Sequence, residues 1–564
     1  MHANDWMQIV LYFGALVALT PLLGGYIAKV YEGQAHLMSK PLGWLERLTY
    51  KASGVNATEG MNWKRYCAAV LWFNGAGLLV VFALQMLQDK LPFNPQAFPA
   101  VSWHSALNTA ASFITNTNWQ GYSGESTMAY LTQLLGLTVQ NFLSAATGLA
   151  VMAAFIRGLR NRQDPNLGNF WADLTRGTVH LLLPLSLLLA VALTSQGVVQ
   201  NLRAYDKIKT VEGADQVLAQ GPAASQVAIK QLGTNGGGFF NANSAHPYEN
   251  STPLSNFLEN LALLIIASSC VWAFGIMICK RKEAIALWAG MAVLCALGLG
   301  VALYAEYSPN PVFHTPGGIM EGKELRFGTT PSVLWAETTT ITSTGAVNCM
   351  HSSLSPLAGM VAMLNIMLGE VIFGGVGCGL YGMLIFVLLT VFMAGLMVGR
   401  TPEYLGKKLV SRDIQWVVAA ILLPNACIKI GAAIAAVTPA ALSSLGNAGP
   451  HGLSEILYAY ASCAGNNGSA FAGLNANTLF YNLTLTVTML IGRFGVLVPA
   501  LAIAGGMAMK KTAPPSSGTF ATDTPLFVAL LVSVVIIVGV LAFMPALCLG
   551  PLVEHFLMLA GRTF

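Results

Sequence analysis

The stretch LGTNGGGFFNAN, Leu232–Asn243, decides how this chain folds. It places Thr, Asn and three successive glycines inside a strongly apolar sequence. Three further stretches have the same polar, small-residue character: TNTNWQGY at 115–122, TTITSTGAVN at 339–348 and AGNNGSAFAGLNAN at 464–477. With Gln120, Gly236, Gly345 and Gly468 as markers, the intervals are 116, 109 and 123 residues. Such regular spacing indicates a fourfold internal repeat.

The composition indicates an integral membrane protein. Of the 564 residues, 55% are hydrophobic and only 9% are charged, and the mean hydropathy is +0.60. Soluble domains carry about 25% charged residues. The nine cysteines form no Cys-x-x-Cys pair and mostly lie in apolar runs, so we predict neither disulfides nor a transition-metal site.

Ten segments are apolar and long enough for membrane-spanning helices, which need about 20 residues each. The predicted spans are 6–28, 66–88, 128–157, 173–196, 254–279, 284–305, 370–399, 414–438, 478–509 and 525–550. The sequence therefore predicts an all-α polytopic membrane protein.

Basic residues orient these spans, because Lys and Arg favour the cytoplasmic side. If the N-terminus lies outside, the inside loops hold 19 of the 29 basic residues and the outside loops hold seven. Both termini are then outside, and all four polar stretches fall in outside loops. The net charge of +5 follows from this topology and does not indicate a nucleic-acid partner.

Each repeat is predicted to contain a span, a re-entrant polar loop and a second span, so the first and last spans are additions. The predicted division is an N-terminal span with its inner loop, four repeats, and an inner loop with the C-terminal span: 1–65, 66–157, 173–279, 284–399, 414–511 and 512–564.

The polar loops have the chemistry of a cation filter. Each follows a segment long enough for a half-length helix, whose C-terminal end carries partial negative charge. Non-helical backbone at membrane depth is tolerated only where protein or a water-filled cavity satisfies it. The central stretches contain no Asp or Glu, and neutral carbonyl rings suit weakly hydrated monovalent cations, K⁺ first and Na⁺ second. Ordinary Gly- and Asn-rich turns are the alternative, but four evenly spaced loops on one side favour a filter.

A second interruption, GEVIFGGVGCGLYG at 369–382, occurs in the seventh predicted span. Its glycines, which include Gly374, Gly375 and Gly377, predict unwinding or a kink that gates the inner mouth of the filter; close helix packing is the alternative. Glu370 and Arg493 are charges within predicted spans, where charges usually face a cavity or each other. They line the ion pathway or form a pair.

No energy source is evident in the chain. The stretch GGIMEGKE at 317–324 satisfies G-x-x-x-x-G-K but ends in Glu, where Ser or Thr should bind magnesium, and it lies in an outside loop. No Asp-Lys-Thr-Gly phosphorylation sequence occurs. We therefore predict no catalytic site and no bound nucleotide.

Several long motifs together closely resemble one family, the potassium-binding, translocating subunit of the Kdp-type potassium-transporting ATPase. The resemblance runs from about Tyr12 to Leu552. The motifs are TNTNWQGYSGE, QLGTNGGGFFNANSAHPYEN, GAVNCMHSSL, GEVIFGGVGCGLYGM, GRTPEYLGKK, NNGSAFAGL and GRFGV.

This resemblance implies the fold of the superfamily of K⁺ transporters, with four membrane–pore–membrane units. It also implies a complex with a P-type ATPase catalytic subunit and small accessory subunits in the bacterial inner membrane. Carried over by position, the filter residues are Asn118, Trp119, Gln120, Gly121, Asn235, Gly236, Gly237, Thr344, Gly345, Ala346, Asn467, Gly468 and Ser469.

The predicted function is the ion-selecting subunit of an ATP-driven K⁺ importer. An autonomous K⁺ channel or an ion-gradient-driven K⁺ uptake protein has the same filters and remains the alternative. An inverted-repeat carrier or an intramembrane enzyme is disfavoured, because the repeats keep one orientation and no nucleophile–base or metal-ligand set has suitable spacing.

Overall fold

The computed structural model describes residues 1–312, 318–514 and 520–562. Gly317 of the nucleotide-like stretch, and residues 515–519, 563 and 564 of the predicted C-terminal segment, lie outside the described residues. Within the described ranges, ten helices are long and apolar enough to cross a membrane, as predicted. They are Ala3–Tyr31, Trp63–Met86, Thr132–Arg160, Phe170–Ser195, Pro253–Met277, Arg281–Tyr307, Cys378–Met397, Ser411–Val437, Leu479–Ala508 and Pro525–Leu559.

Four shorter helices precede the four polar stretches and are called here pore helices 1 to 4. They are Trp103–Ile114, Ala223–Leu232, Thr329–Ile341 and Gly449–Ala464, and they contain 12, 10, 13 and 16 residues. A helix needs about 20 residues to cross a bilayer. Each pore helix is therefore a half-length helix, as predicted.

The spans that follow the polar stretches are the most buried. In the third, fifth, seventh and ninth spans, 83%, 78%, 61% and 61% of the most apolar stretch of the helix is buried inside the protein. The spans that precede the pore helices have only 22%, 39%, 44% and 28% buried. The second span of every repeat therefore faces the centre, and the first faces outward, as a fourfold arrangement requires.

The seventh span differs from its predicted bounds. A helix over Pro356–Met367 forms its outer half, residues 368–377 are not helical, and Cys378–Met397 forms its inner half. Gly369 and Gly377 have φ values of +81° and +80°, which end the first half and precede the second. The predicted interruption of the helix is confirmed, but the span begins earlier than residue 370.

Smaller elements complete the structure. A helix over Ser39–Ser53 lies between the first two spans, and an outer hairpin pairs Asp206–Lys209 with Asp215–Leu218 in antiparallel register. A second short hairpin pairs Glu403–Tyr404 with Lys407–Lys408. The remaining short helices are Gln88–Lys90, Gly124–Thr127, Asn243–Ala245, His351–Ser353 and Pro439–Leu442, and Val553–Leu559 forms the last part of the tenth span. π-helical turns at Thr132–Thr138, Gly177–Leu182 and Cys548–Leu552 lie within spans.

Candidate functional site

The four pore helices end in the same backbone conformation. The second residue beyond each helix is left-handed, with φ of 68° at Asn116, 49° at Thr234, 49° at Ser343 and 51° at Asn466. None is glycine, and such conformations cost about 1–3 kcal/mol each, so they persist only where the surrounding structure enforces them. The repetition of a strained backbone angle at four equivalent positions indicates that the four loops share one conformation, which the surrounding protein maintains.

Backbone carbonyl oxygens of the first, third and fourth loops converge on a glycine of the second loop, and this meeting point of the four loops is called here the ring. A Cβ atom added at Gly236 would lie 2.5 Å from the Thr117 oxygen, 2.7 Å from the Asn467 oxygen and 2.9 Å from the Thr344 oxygen. Added Cβ atoms at Gly345 and Gly468 would likewise press on the carbonyl oxygens of Asn467 and Thr117. Glycine is required here because the four backbones approach one another too closely for any side chain.

The structure corrects the register of the first loop. Gly236, Gly345 and Gly468 each stand four residues beyond the last residue of their pore helix, and in the first loop that position is Asn118. Asn118 has φ of 51°, and Gly345 and Gly468 are also left-handed, with φ of 88° and 101°. Asn tolerates this conformation better than most residues, so Asn118 takes the place that glycine has in the third and fourth loops.

Trp119, Gln120 and Gly121 follow this convergence point along the chain, and their place in the filter stays a prediction. The Gln120 side chain accepts a hydrogen bond from Gly238 N at 2.8 Å and donates one to Gly238 O at 3.1 Å. Gly121 packs on the fourth loop, where an added Cβ would lie 3.3 Å from Asn477 N. Gln120 and Gly121 thus join the first loop to the second and fourth loops.

The other predicted residues lie at or beside the ring. An added Cβ at Gly237 would lie 3.0 Å from the Asn118 oxygen. The carbonyl of Ala346 accepts a hydrogen bond of 2.7 Å from Trp335 Nε1, so that oxygen is already engaged. Ser469 Oγ contacts Tyr458 OH at 2.8 Å.

Asparagine side chains tie the first two loops together. Asn116 Nδ2 donates to the Thr234 oxygen at 2.8 Å, and Asn235 Nδ2 donates to Asn116 Oδ1 at 2.5 Å. Ser144 Oγ, from the third span, donates to the same Asn116 oxygen at 2.7 Å. Buried networks of this kind rigidify the loops that they connect.

The fourth loop is tied to its neighbours in the same way. Asn466 Nδ2 donates to Thr117 Oγ1 at 3.0 Å, and Asn467 Nδ2 donates to the Thr339 oxygen at 2.9 Å. Asn116, Thr117, Thr234, Ser343 and Asn466 were absent from the predicted set. These residues can be identified by counting from the end of the half-length helix, and they cannot be identified from the position of the nearest glycine.

The predicted residues below the ring lie together. Arg493 Nη1 is 3.5 Å from Glu370 Oε1, and Arg493 also donates to Ser144 O at 3.2 Å. The two charges therefore lie within ion-pair distance of each other, and both also line the cavity beside the broken segment. An added Cβ at Gly374 would lie 2.5 Å from the Glu370 carbonyl carbon.

The broken segment of the seventh span is attached to the second loop. Val376 N donates a hydrogen bond of 2.9 Å to Thr234 Oγ1, and an added Cβ at Gly375 would lie 3.4 Å from the same hydroxyl. Gly377 packs so closely on the third span that an added Cβ would lie 2.8 Å from Leu149 N. The segment thus fills the space directly beneath the ring.

A cavity of about 70 Å³ lies next to this segment. Its polar lining includes Glu370, Arg493 and Asn466, the last of these belonging to the fourth loop. The rest of the lining is mostly apolar. Within residues 1–312, 318–514 and 520–562, no group of three or more His, Cys, Asp and Glu side chains is placed to hold a metal ion.

Comparisons with known proteins agree with this architecture. Residues 10–556 match the family model described as the potassium-transporting ATPase A subunit. Proteins named potassium-transporting ATPase potassium-binding subunit are 54% identical in Rhodospirillum centenum, over 100% of this chain and 99% of the relative, and 52% identical in Pseudomonas aeruginosa, over 98% and 99%.

A solved structure shows the same fold at low identity. The potassium transporter TrkH from Vibrio parahaemolyticus superimposes with a TM-score of 0.52 at 15% identity, over 88% of this chain and 98% of that one. The resemblance predicted from the motifs and the predicted fold class, with its four pore repeats, are both confirmed. The chain belongs to the potassium-transporting ATPase A subunit family.

Proposed function

We propose that this chain binds K⁺ at the ring of loop carbonyls and delivers it for ATP-driven, high-affinity import as the ion-selecting subunit of a P-type ATPase complex. One observation carries the proposal: the carbonyl oxygens of Thr117, Thr344 and Asn467 converge on Gly236. Neutral carbonyls from four loops replace the hydration shell of a weakly hydrated monovalent cation.

Two features of the ring support K⁺ as the ion. All four loops are built from Thr, Asn, Ser and Gly around the convergence point, with no carboxylate among them. The asparagine network fixes the loops in one arrangement, so that the oxygens are placed before the ion arrives. The relatives are named potassium-binding subunits, which agrees with this assignment.

The broken segment of the seventh span is the proposed gate. Gly374, Gly375 and Gly377 let the backbone lie directly under the ring, and Glu370 and Arg493 place a carboxylate and a guanidinium beside the cavity there. A cation that leaves the ring meets the Glu370 carboxylate, and the Arg493 charge opposes its free passage inward. Movement of this segment would open the way from the ring.

The proposed assembly includes a P-type catalytic subunit that binds and hydrolyses ATP, small accessory membrane subunits and the bilayer of the bacterial inner membrane. K⁺ is the transported ion, and this chain binds no nucleotide. Names of the relatives as subunits of an ATPase support partner subunits in general.

An autonomous K⁺ channel or ion-gradient-driven uptake protein is the second candidate. The observation that favours it is that one chain supplies all four loops of the ring, so that the pore is complete without a partner. The two candidates differ in whether K⁺ movement requires ATP turnover.

The deciding experiment is ATP hydrolysis by the complex of this chain with its catalytic subunit, measured against K⁺ concentration. Wild type is compared with Gly236→Asp, which adds a carboxylate where three oxygens meet. Saturating stimulation at low K⁺, weakened or extended to other cations by the variant, supports the proposal. Absence of stimulation, with ATP-independent K⁺ uptake by this chain alone, would replace it with the second candidate.

A further inference from the structure

The helix Ser39–Ser53, called here the inner helix, lies between the first two spans on the side that carries most basic residues. One of its faces is fixed to the protein by Glu46. This carboxylate contacts His180 Nε2 at 2.8 Å and accepts a hydrogen bond of 3.1 Å from Arg176 Nε. Tyr50 OH donates to Glu46 at 2.7 Å from the next turn of the helix. The inner helix is thereby held against the start of the fourth span.

Its opposite face is apolar and open. Trp44 and Leu48 are 56% and 53% exposed, and Leu37, just before the helix, is 78% exposed. At 3.6 residues per turn, Trp44 and Leu48 lie about 40° apart and centre about 180° from Glu46. Large apolar side chains therefore point directly away from the protein.

A basic stripe runs beside the apolar one. Lys40, Arg47 and Lys51 are spaced by seven and four residues, so they lie within about 40° of one another and about 60° from the apolar face. All three side chains are exposed. Among the described residues, the ion pairs closest to them along the chain join Glu46 to Arg176 and to His180. Within the part of the chain that the structure describes, none of these three positive charges forms an ion pair with an acidic side chain.

This combination fits one kind of surface. A helix with Trp and Leu on one face and Lys or Arg at its border lies in the plane of a membrane interface. Trp is typical of that depth, and basic side chains there are attracted to anionic headgroups. The inner helix also connects the first and second spans. Only 28% and 22% of the most apolar stretch of these two spans is buried inside the protein. The surroundings of the inner helix are therefore open to lipid.

We propose that the inner helix is a binding surface for anionic phospholipid of the cytoplasmic leaflet. Leu37, Trp44 and Leu48 enter between the acyl chains, while the Lys40 and Lys51 ammonium groups and the Arg47 guanidinium contact headgroup phosphates. The surface lies apart from the ring and its gate, and it anchors the loop between the first two spans. This inference concerns lipid binding and stands independently of the transported ion.

The test places an environment-sensitive fluorophore on the inner helix of the full-length chain in lipid nanodiscs. The exposed Cys279 and Cys548 are changed to Ser, and the label is attached at Trp44→Cys. Nanodiscs contain phosphatidylglycerol and phosphatidylcholine at equal mole fraction, with brominated acyl chains on one lipid or on the other. Bromine quenches the label only on contact, so the two preparations report which lipid lies beside the helix.

The control label is at Val211→Cys, at the fully exposed tip of the outer hairpin, where no quenching is expected. We expect strong quenching at position 44, greater with brominated phosphatidylglycerol than with brominated phosphatidylcholine. One basic side chain near the surface changes anionic-lipid attraction about fivefold. Lys40→Glu with Arg47→Glu and Lys51→Glu should therefore remove the lipid preference. The matched triple change of Lys207 and Lys209 in the outer hairpin and Arg203 just before it to Glu should leave the preference intact.

Three results would overturn the proposal. A label at position 44 that neither lipid quenches would place the face in water. Equal quenching by both lipids in wild type would remove the anionic specificity. Loss of quenching when the partner subunits are added would assign the face to a protein interface instead.

Discussion

Replacing Gly345 by Ala should damage ion binding far more than its size suggests. Gly345 has φ of +88°, and an added Cβ would press on the Asn467 carbonyl oxygen while lying 2.8 Å from Asn467 C and Ser469 N. The change therefore combines backbone strain with crowding of the ring itself. Gly328 is a matched control, because it has φ of +82° and no atom within 4 Å of an added Cβ.

The two contributions can be separated by comparing these variants. Left-handed backbone costs a residue with a Cβ about 1–2 kcal/mol, and both variants carry this cost. Overpacking against a fixed neighbour adds about 1–3 kcal/mol, and only Gly345→Ala carries it. If that excess appears as displacement of the Asn467 oxygen, K⁺ binding weakens by about five- to 150-fold.

The assay is the K⁺ concentration that half-maximally stimulates ATP hydrolysis by the complex, with thermal unfolding measured in parallel. We expect a rise of at least about fivefold for Gly345→Ala, corresponding to about 1 kcal/mol, and little change for Gly328→Ala. Equal behaviour of the two variants in K⁺ dependence would refute the argument that close approach of carbonyl groups, rather than backbone conformation, makes this glycine necessary.

Three other predictions follow from single contacts. Gln120→Leu removes two hydrogen bonds to the second loop and should reduce K⁺ over Na⁺ discrimination, measured as the ratio of half-stimulating concentrations. Burial alone would lower the pKa of His451, but the hydrogen bond and charge of Glu554 raise it above 6.5. The contact should therefore stabilise the helical segment Val553–Leu559 below about pH 6.5, and this stabilisation should be lost as pH rises through the raised pKa of His451. Hydrogen exchange of the segment, measured against pH, would detect this loss, and Glu554→Gln would abolish the pH dependence. Glu370→Gln leaves the Arg493 guanidinium without its carboxylate and should lower stability by about 3 kcal/mol, seen in thermal unfolding.

The sequence carries enough information to predict the four loops and the ten spans. Each loop interrupts apolar sequence with Thr, Asn and Gly, and hydropathy separates the spans because membrane helices have a fixed minimum length. The basic residues then orient them. Loop composition, hydropathy and the distribution of basic residues can each be read from short segments of sequence, so these predictions need no knowledge of tertiary contacts.

The register of the first loop could not be found from glycine positions. In three loops the residue four beyond the pore helix is glycine, but in the first it is Asn118, and the nearest glycine is Gly121. Asn occupies the left-handed region well enough to replace glycine there. The choice depends on where the helix ends, and helix ends are the least reliable part of a sequence-based prediction.

The outer half of the seventh span and the inner helix were missed for a related reason. The helix Pro356–Met367 has 12 residues, too few to be recognised as a span by hydropathy alone. The inner helix mixes Leu and Trp with Lys, Arg and Glu, so its average hydropathy is low although one face is apolar. Both elements are stabilised by their surroundings, which hydropathy does not report.

One residue of the second loop contacts both the first loop and the broken segment of the seventh span. Thr234 is β-branched and has φ of 49°, a strained combination that its neighbours must maintain. Its carbonyl accepts from Asn116 in the first loop, and its hydroxyl accepts from Val376 in the broken segment. A movement of that segment breaks the second bond and removes part of what holds the strained angle. Because the next residues along the chain, Asn235 and Gly236, lie in the ring, such a movement changes the ring as well. In the proposed function, selection and release of the ion are therefore coupled through the backbone of this one loop.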